Sequence, residues 1–316
     1  MAAKDEKIYF AAASRRLFSV KRKLERVSLS LSEILAGEMP VLPDIDHCDG
    51  LLVRSLPVDR HPEIARLYPN LVTGAARRYQ RRYIPMQTGF GEYFSHFSAK
   101  TRNTLRRKSR RFADATGGQL KVLEYRTPSE VEEFLRLALP LSDRTYQQRL
   151  FHGGLRGDAA SRAKMAALAE QGNVRAFLLF SKDAVAAYLY LPVSGSTLSY
   201  AHLGYEPDLA FLSPGTVLQL AALERLFAED RFVYFDFTEG DGAHKQLFAT
   251  HGVACETFVM LHPTLRNRAV LAAHAGFGKA VALGKAVMAR RGTQSGVSKR
   301  ADIADPAAIS RKGLSA

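Results

Sequence analysis

Cysteine is scarce: the 316 residues include two, Cys48 and Cys255, far apart and in no metal-binding or redox spacing. A disulfide-built scaffold and a cysteine zinc site are therefore not expected, and a reducing compartment fits. Long hydrophobic runs are missing as well. No stretch of about eighteen uncharged apolar residues occurs, so no membrane-spanning helix is expected. The opening residues, Met1-Ala-Ala-Lys-Asp-Glu-Lys7, are charged and lead into no signal-peptide core. The expectation is a cytoplasmic protein, peripheral on the inner membrane if its cationic segments bind there. Acidic residues are outnumbered, 31 Asp+Glu against 45 Lys+Arg, for a formal charge of +14. Such an excess favours polyanionic partners: nucleic acid, an anionic membrane surface or a phosphorylated ligand. Familiar catalytic signatures are absent too. There is no G-x-S-x-G nucleophile elbow and no histidine cluster for a metal. Gly276-Phe-Gly278 and Gly284-Lys285 miss both the P-loop and the dinucleotide spacing.

What is present suffices for a sizeable core, since 47% of residues are hydrophobic and 24% charged. Four segments are expected: a basic arm or helix over 1–40, an N-terminal half over 41–160, a C-terminal core over 161–264, and a basic amphipathic tail over 265–316 with a disordered end. Residues 14–36 carry Arg15, Arg16, Lys21, Arg22 and Lys23 among apolar residues and read as an amphipathic surface helix. Gly50–Arg54 is strand-like. Lys100 to Arg111 is strongly basic, with Phe97, Leu105 and Phe112 near one helical face, which predicts a cationic helix over 98–112. Thr127-Pro-Ser-Glu130 reads as a helix start, and Leu141 to Asp158 as a loop.

From Val174 the pattern becomes regular. Strands are predicted at 174–180, 184–193 and 198–205, joined by Lys182-Asp183 and Ser194-Gly-Ser196 as a meander. A helix over 216–229, a buried strand over 232–237, a short helix over 243–250 and a strand over 256–261 follow. Ser213-Pro-Gly-Thr216 opens the first of these helices, and a glycine-containing turn at a helix N-terminus can hold a phosphate. Acids and His244-Lys245 follow the next strand. Together these point to group transfer from a phosphate-bearing carrier.

This order of elements, with Gly204-Tyr205, Ser213-Pro214-Gly215, Phe235-Asp236-Phe237, Gly240-Asp241 and Lys245, resembles the core of the GNAT N-acyltransferases. The likeness is to the branch of bacterial cellulose-biosynthesis-type acetyltransferases, itself similar to the Fem peptidyltransferases. Ser98-Ala-Lys100 to Arg111 resembles the basic helix of that branch, so about residues 90–261 are covered. Where that pattern has an aromatic before the lysine, this chain has His244. The resemblance implies an α/β (α+β) fold with a mixed, mostly antiparallel sheet flanked by helices, in two related GNAT-like domains. It also implies acyl-CoA as co-substrate, with the pyrophosphate at Leu212, Ser213, Pro214, Gly215 and Thr216, and no metal.

Within that chemistry an attacking ammonium must lose a proton and a thiolate must leave. Glu239, at the end of the buried strand, is the favoured base. Asp236 lies inside the apolar strand, and Lys245 is the partner expected to neutralise it. Asp241 suits a helix cap or a second base. His244 and His202 are candidate proton carriers. The preferred function is acyl-CoA-dependent N-acylation of an amine, with a long-chain or sphingoid base at a membrane surface as acceptor. Rival readings are an exopolysaccharide amino-sugar acetyltransferase, an aminoacyl-tRNA-dependent Fem-like transferase and a non-enzymatic nucleic-acid binder. The basic segment lacks interleaved aromatics for base stacking, so nucleic acid is the least favoured partner.

Overall fold

The structure, a computed structural model, describes residues 3–12, 15–148, 154–240 and 242–298. Its first two strands, β1 (Lys4–Ala12) and β2 (Arg15–Ser28), form an antiparallel hairpin in which Ile8 faces Val20 and Phe10 faces Phe18. The helix expected over 14–36 is thus corrected to a strand, followed by the short helix α1 (Leu31–Leu35). Leu17, Val20, Leu24 and Val27 recur every three or four residues and imitate a helical face. Pairing decides otherwise, because β2 also runs parallel to β3 (Gly50–Pro57). Arg22, Leu24, Glu25 and Val27 are all buried, so covering on both faces erases the alternation that identifies a half-exposed strand.

Helix α2 (His61–Leu67) and the long strand β4 (Val72–Pro85) lead to α3 (Phe90–Ser95) and α4 (Ala99–Thr116). Ser98 caps α4, its Oγ accepting the Thr101 N–H at 3.2 Å, and Gly117 ends it with φ +119°. Phe97, Leu105 and Phe112 are buried, as the spacing predicts, and Arg106, Arg107, Arg110 and Arg111 are exposed. Strand β5 (Lys121–Tyr125) and helices α5 (Pro128–Gln148) and α6 (Ala159–Glu170) follow. Helix α5 starts where expected, but it runs eight residues, Leu141 to Gln148, into the segment read as a loop. Ala138 and Leu141 continue its buried face past Pro140.

The meander is β6 (Val174–Ser181), β7 (Ala184–Ser194) and a third strand broken into β8 (Thr197–Ser199) and β9 (His202–Tyr205). Then come α7 (Pro214–Ala228), β10 (Tyr234–Asp236), α8 (Ala243–Phe248), β11 (His251–Leu261) and α9 (Leu265–Ser298). One mixed, mostly antiparallel sheet runs β1-β2-β3-β11-β4-β10-β8-β7-β6-β5, with β9 beside β7. The segments expected as separate halves interlock in it. From the first, β5 pairs with β6 of the second, and from the second, β11 lies between β3 and β4. Helix α9 forms despite Gly276, Gly278 and Gly284, and Leu271 docks it against Gly74. A Cβ there would stand 2.6 Å from Leu271 Cδ2. Residues 299–316, expected as a disordered end, lie outside the described residues.

Both cysteines are free, and their settings differ. Burial on β11 pushes the Cys255 thiol up to about 11, whereas Cys48 is half-buried. A raised thiol pKa leaves little thiolate at pH 8. In native protein, a disulfide-exchange reagent at pH 8 is expected to titrate Cys48 first, and Cys255 only after denaturant. Two equally fast thiols would contradict this burial.

Candidate functional site

The sheet opens where the third meander strand breaks. Strand β8 pairs in parallel with β10, Leu198 opposite Phe235 and Ser199 opposite Asp236. The last rung is the Tyr200 N–H to the Asp236 carbonyl at 2.8 Å. Beyond it β9 pairs with β7, His202 opposite Tyr190, while the Phe237 N–H turns the other way to the Arg82 carbonyl on β4. The two chains therefore part into a V, with Ala201–Tyr205 on one arm and Phe237–Glu239 on the other. An unbroken strand over 198–205, as expected from sequence, would have kept the sheet closed.

Helix α7 begins against the β9 arm. Ser213 takes the left-handed conformation, φ +57°, which bends the chain so that Pro214 starts the helix. The Thr216 and Val217 N–H groups bond the Ser213 carbonyl at 3.0 and 3.1 Å. Proline has no N–H, so the Gly215 amide is the one in this turn without an intrahelical acceptor. A Cβ on Gly215 would lie 3.0 Å from Leu203 Cδ2 and 3.2 Å from Tyr205 Cδ1. Leu212 and Pro214 are buried, and Ser213 and Thr216 are half-buried. Gln219, one turn along the same face, is buried, and its Nε2 has no hydrogen-bond acceptor among the described residues. A partly positive helix end, a missing side chain and an unused amide donor fit a phosphate-bearing, amide-containing carrier.

The residues expected to handle protons fall into two groups. Asp236 and Lys245, expected as a pair, do not pair with each other. The buried Asp236 carboxylate takes Arg81 instead, at 2.6 Å from Nη2 and 3.2 Å from Nε, and accepts the Thr238 N–H at 2.8 Å. Burial opposes the Arg81 charge, and the Asp236 bonds and charge outweigh it, so the guanidinium is held above its ordinary range. The buried Lys245 Nζ donates to the Phe237 and Glu239 carbonyls, each at 2.6 Å, and ties α8 to the turn after β10. Sequence spacing favours Lys245 because it is near along the chain, but β4 brings Arg81 from 155 positions away. Glu239 accepts from Arg54 at 2.8 Å and from Arg77 at 2.9 Å, one on each oxygen. His244 is exposed, and its ring centre is 5.2 Å from that of Tyr200, across the opening from α8. His202 is half-buried on the β9 arm, its ring 6.2 Å from that of Tyr190. Asp241 lies outside the described residues.

Two clefts flank the opening. One, of about 580 Å³, lies between α4 and the turn Pro207–Leu212 and is lined by Arg107, Arg110, Arg111, Asp114, Phe211 and Leu212. Sequence reasoning assigned these arginines no place in the carrier site. Their spacing is visible in the chain, but Phe211 stands a hundred residues away. The other, of about 260 Å³, joins Thr238 and Glu239 to Arg26, Arg54 and Arg81 of the N-terminal strands. Among the described residues no group of three or more His, Cys, Asp or Glu side chains is placed to hold a metal ion.

Residues 99–246 match the family model described as an acetyltransferase (GNAT) domain. FemX has a similar structure at 12% identity, with 83% of this chain and 89% of that one covered and a TM-score of 0.52. A C-terminal domain from Agrobacterium fabrum, assigned to a lysylphosphatidylglycerol synthetase, aligns over 66% of this chain and 67% of its own, at 13% identity and TM-score 0.48. A GCN5-related N-acetyltransferase from Kribbella flavida aligns over 68% and 69%, at 11% identity and TM-score 0.37. No curated protein matches the chain in sequence. The domain match over residues 99–246 and the FemX-like sheet agree with the parted strands and the helix end beside them: the chain has a GNAT-type fold with a Fem-like architecture.

Proposed function

We propose that this protein is an acyl-CoA-dependent N-acyltransferase whose acceptor is a long-chain amine of the sphingoid-base type. The observation that carries this reading is the V between β9 and β10 with the Gly215 end of α7 beside it. Parted strands leave backbone donors and acceptors along both inner edges, and an extended arm containing amides can pair with them as an added strand. Phosphates at the head of that arm would meet the Gly215 amide, and Gln219 offers a donor to a carbonyl along it.

In the reaction the amine nitrogen attacks the thioester carbonyl carbon. The new C–N bond forms as the C–S bond breaks, its electron pair leaving on sulfur, which takes up a proton. The amine proton needs an acceptor at the opening. Arginines occupy both oxygens of Glu239, and Asp236 is locked to Arg81, so we assign these two to positioning. His244, exposed beside Tyr200, is the acceptor we assign, with His202 as the second titratable group. Lys245 ties α8, which carries His244, to the turn that carries Glu239.

A face for a lipid-borne acceptor lies at the hairpin. Leu17 and Phe18 are 59% and 52% exposed, Phe18 stacks on Phe10 at 4.1 Å and meets Phe277 of α9 at 5.9 Å, and Lys21 and Lys279 are exposed nearby in sequence. Apolar tips within a cationic surround suit an anionic membrane surface. No described helix is long and apolar enough to cross a membrane.

The test is release of CoA thiol from acetyl- and long-chain acyl-CoA, with long-chain amines and amino sugars offered on anionic vesicles. Turnover with the long-chain amine is expected. Turnover with amino sugars alone would move the acceptor to polysaccharide, and no thiol release with any amine would sink the reading. His244→Gln is expected to lower kcat about 100-fold or more, with CoA affinity kept. Full turnover in His244→Gln would return the proton to His202 or Glu239.

A further inference from the structure

The cleft beside α4 carries chemistry that the acyl-transfer step does not use. Arg107, Arg110, Arg111 and Asp114 stand at i, i+3, i+4 and i+7, one face of α4, and that face looks onto Phe211. Around the opening, Arg54 and Arg77 pair with Glu239 and Arg81 with Asp236. Among the described residues none of the three cleft arginines makes an ion pair or a side-chain hydrogen bond. Three unpaired guanidinium groups on one helical turn repel one another, and an anion between them relieves that repulsion. Phe211 is 64% exposed, with the Arg111 guanidinium 5.8 Å from its ring centre, and it belongs to the turn that runs directly into Ser213-Pro-Gly215. An exposed aromatic, forked phosphate donors and one carboxylate together match a phosphorylated nucleoside. The ring stacks a base, the arginines take phosphate oxygens, and Asp114 accepts from a base amine or a ribose hydroxyl.

Resting on the acyl-carrier reading above, we propose that this cleft is the binding site for the nucleotide end of the carrier. Its adenine stacks on Phe211 and its sugar phosphate is gripped by Arg107, Arg110 and Arg111. One ligand then spans two features adjacent in the chain: Leu212 lines the arginine cleft, and Ser213 to Gly215 form the helix end. The basic helix, on this account, is a specificity element that separates a nucleotide-bearing carrier from a bare pantetheine thioester.

The test is calorimetry on the full-length chain with CoA, 3′-dephospho-CoA and adenosine 3′,5′-bisphosphate. Arg110→Gln and Arg111→Gln are expected each to weaken CoA and the bisphosphate about tenfold or more, and dephospho-CoA by less. Phe211→Ala is expected to weaken all three about fivefold or more. Turnover of an acyl-pantetheine substrate should be unchanged in these variants, a result that misfolding would not give. Wild-type CoA binding that survives all three substitutions would overturn this assignment and leave the acyl-carrier reading standing. Wild-type protein that binds no CoA would remove both. Arginine-dependent retention of a single-stranded RNA ending in adenosine, without CoA binding, would assign the face to RNA instead.

Discussion

Gly215→Trp is expected to abolish acyl-CoA binding while the protein stays folded. Gly215 sits where α7 meets β9, and even a Cβ would press on Leu203 at 3.0 Å and Tyr205 at 3.2 Å. Alanine needs a shift of a few tenths of an ångström in those side chains. An indole has no room on the β9 side and must turn into the opening, over the one amide in the turn that has no intrahelical acceptor. Losing the hydrogen bond from that amide to an anion costs about 1.5–3 kcal/mol, roughly 10- to 150-fold in affinity, and the indole also fills the space beside it. Calorimetry with CoA, acetyl-CoA and a long-chain acyl-CoA reads the loss, and circular dichroism with a melting curve reports the fold. A folded Gly215→Trp variant that binds all three like the wild type would show that the carrier does not lie at α7. A graded loss, with Gly215→Ala intermediate, would place it there.

Replacing Asp236 with Leu is expected to be among the most destabilising single changes in the molecule. Arg81 is buried, and its Nη1 also holds the Leu29 carbonyl at 2.8 Å, so the guanidinium cannot swing out to solvent without breaking a second bond. Removing the carboxylate strands a buried charge, at about 3–5 kcal/mol. For 316 residues, with an unfolding entropy of about 2.1 cal/mol/K per residue, that corresponds to a drop in Tm of about 5–8 °C. Arg81→Leu should cost a similar amount from the other side. The double variant should recover much of the loss, because two apolar side chains leave no charge to solvate. Purely additive losses in the double variant would refute the coupling. The same change removes the acceptor of the Thr238 N–H, and Thr238 sits at φ +58°, a conformation that β-branched residues rarely adopt. The arm that bears Glu239 should therefore loosen, and acyl transfer in Asp236→Asn is expected to fall through geometry rather than through loss of a base.

The tests separate three roles that neighbour one another in the chain. Asp236 and Lys245 hold the turn, Glu239 is held by arginines from β3 and β4, and His244 is left at the surface beside Tyr200. Sequence spacing groups all four as acids and bases of one site, because they lie within ten positions. Long-range strand pairing divides them, since β4 supplies Arg77 and Arg81 and β3 supplies Arg54.

Local physics wrote much of this protein into the chain itself. The meander from Val174, the helix after Ser213-Pro-Gly, the buried strand at Tyr234–Asp236 and the capped basic helix after Ser98 all follow from periodicity, turn chemistry and capping, interactions that span a few residues. For the same reason the turn Leu212–Thr216 was legible as a candidate anion site, the role we propose for it. What the tertiary structure decided depends on contacts between distant segments. The heptad-like run at Leu17–Val27 became a strand because β1 and β3 pair with it on both edges. Strand 198–205 broke because β10 claims its first half and β7 its second. Asp236 took Arg81, and the arginines of α4 met Phe211. Side-chain chemistry is a property of each residue, but which chemistry is brought together is settled by pairing across the sheet, and no short window of sequence contains it.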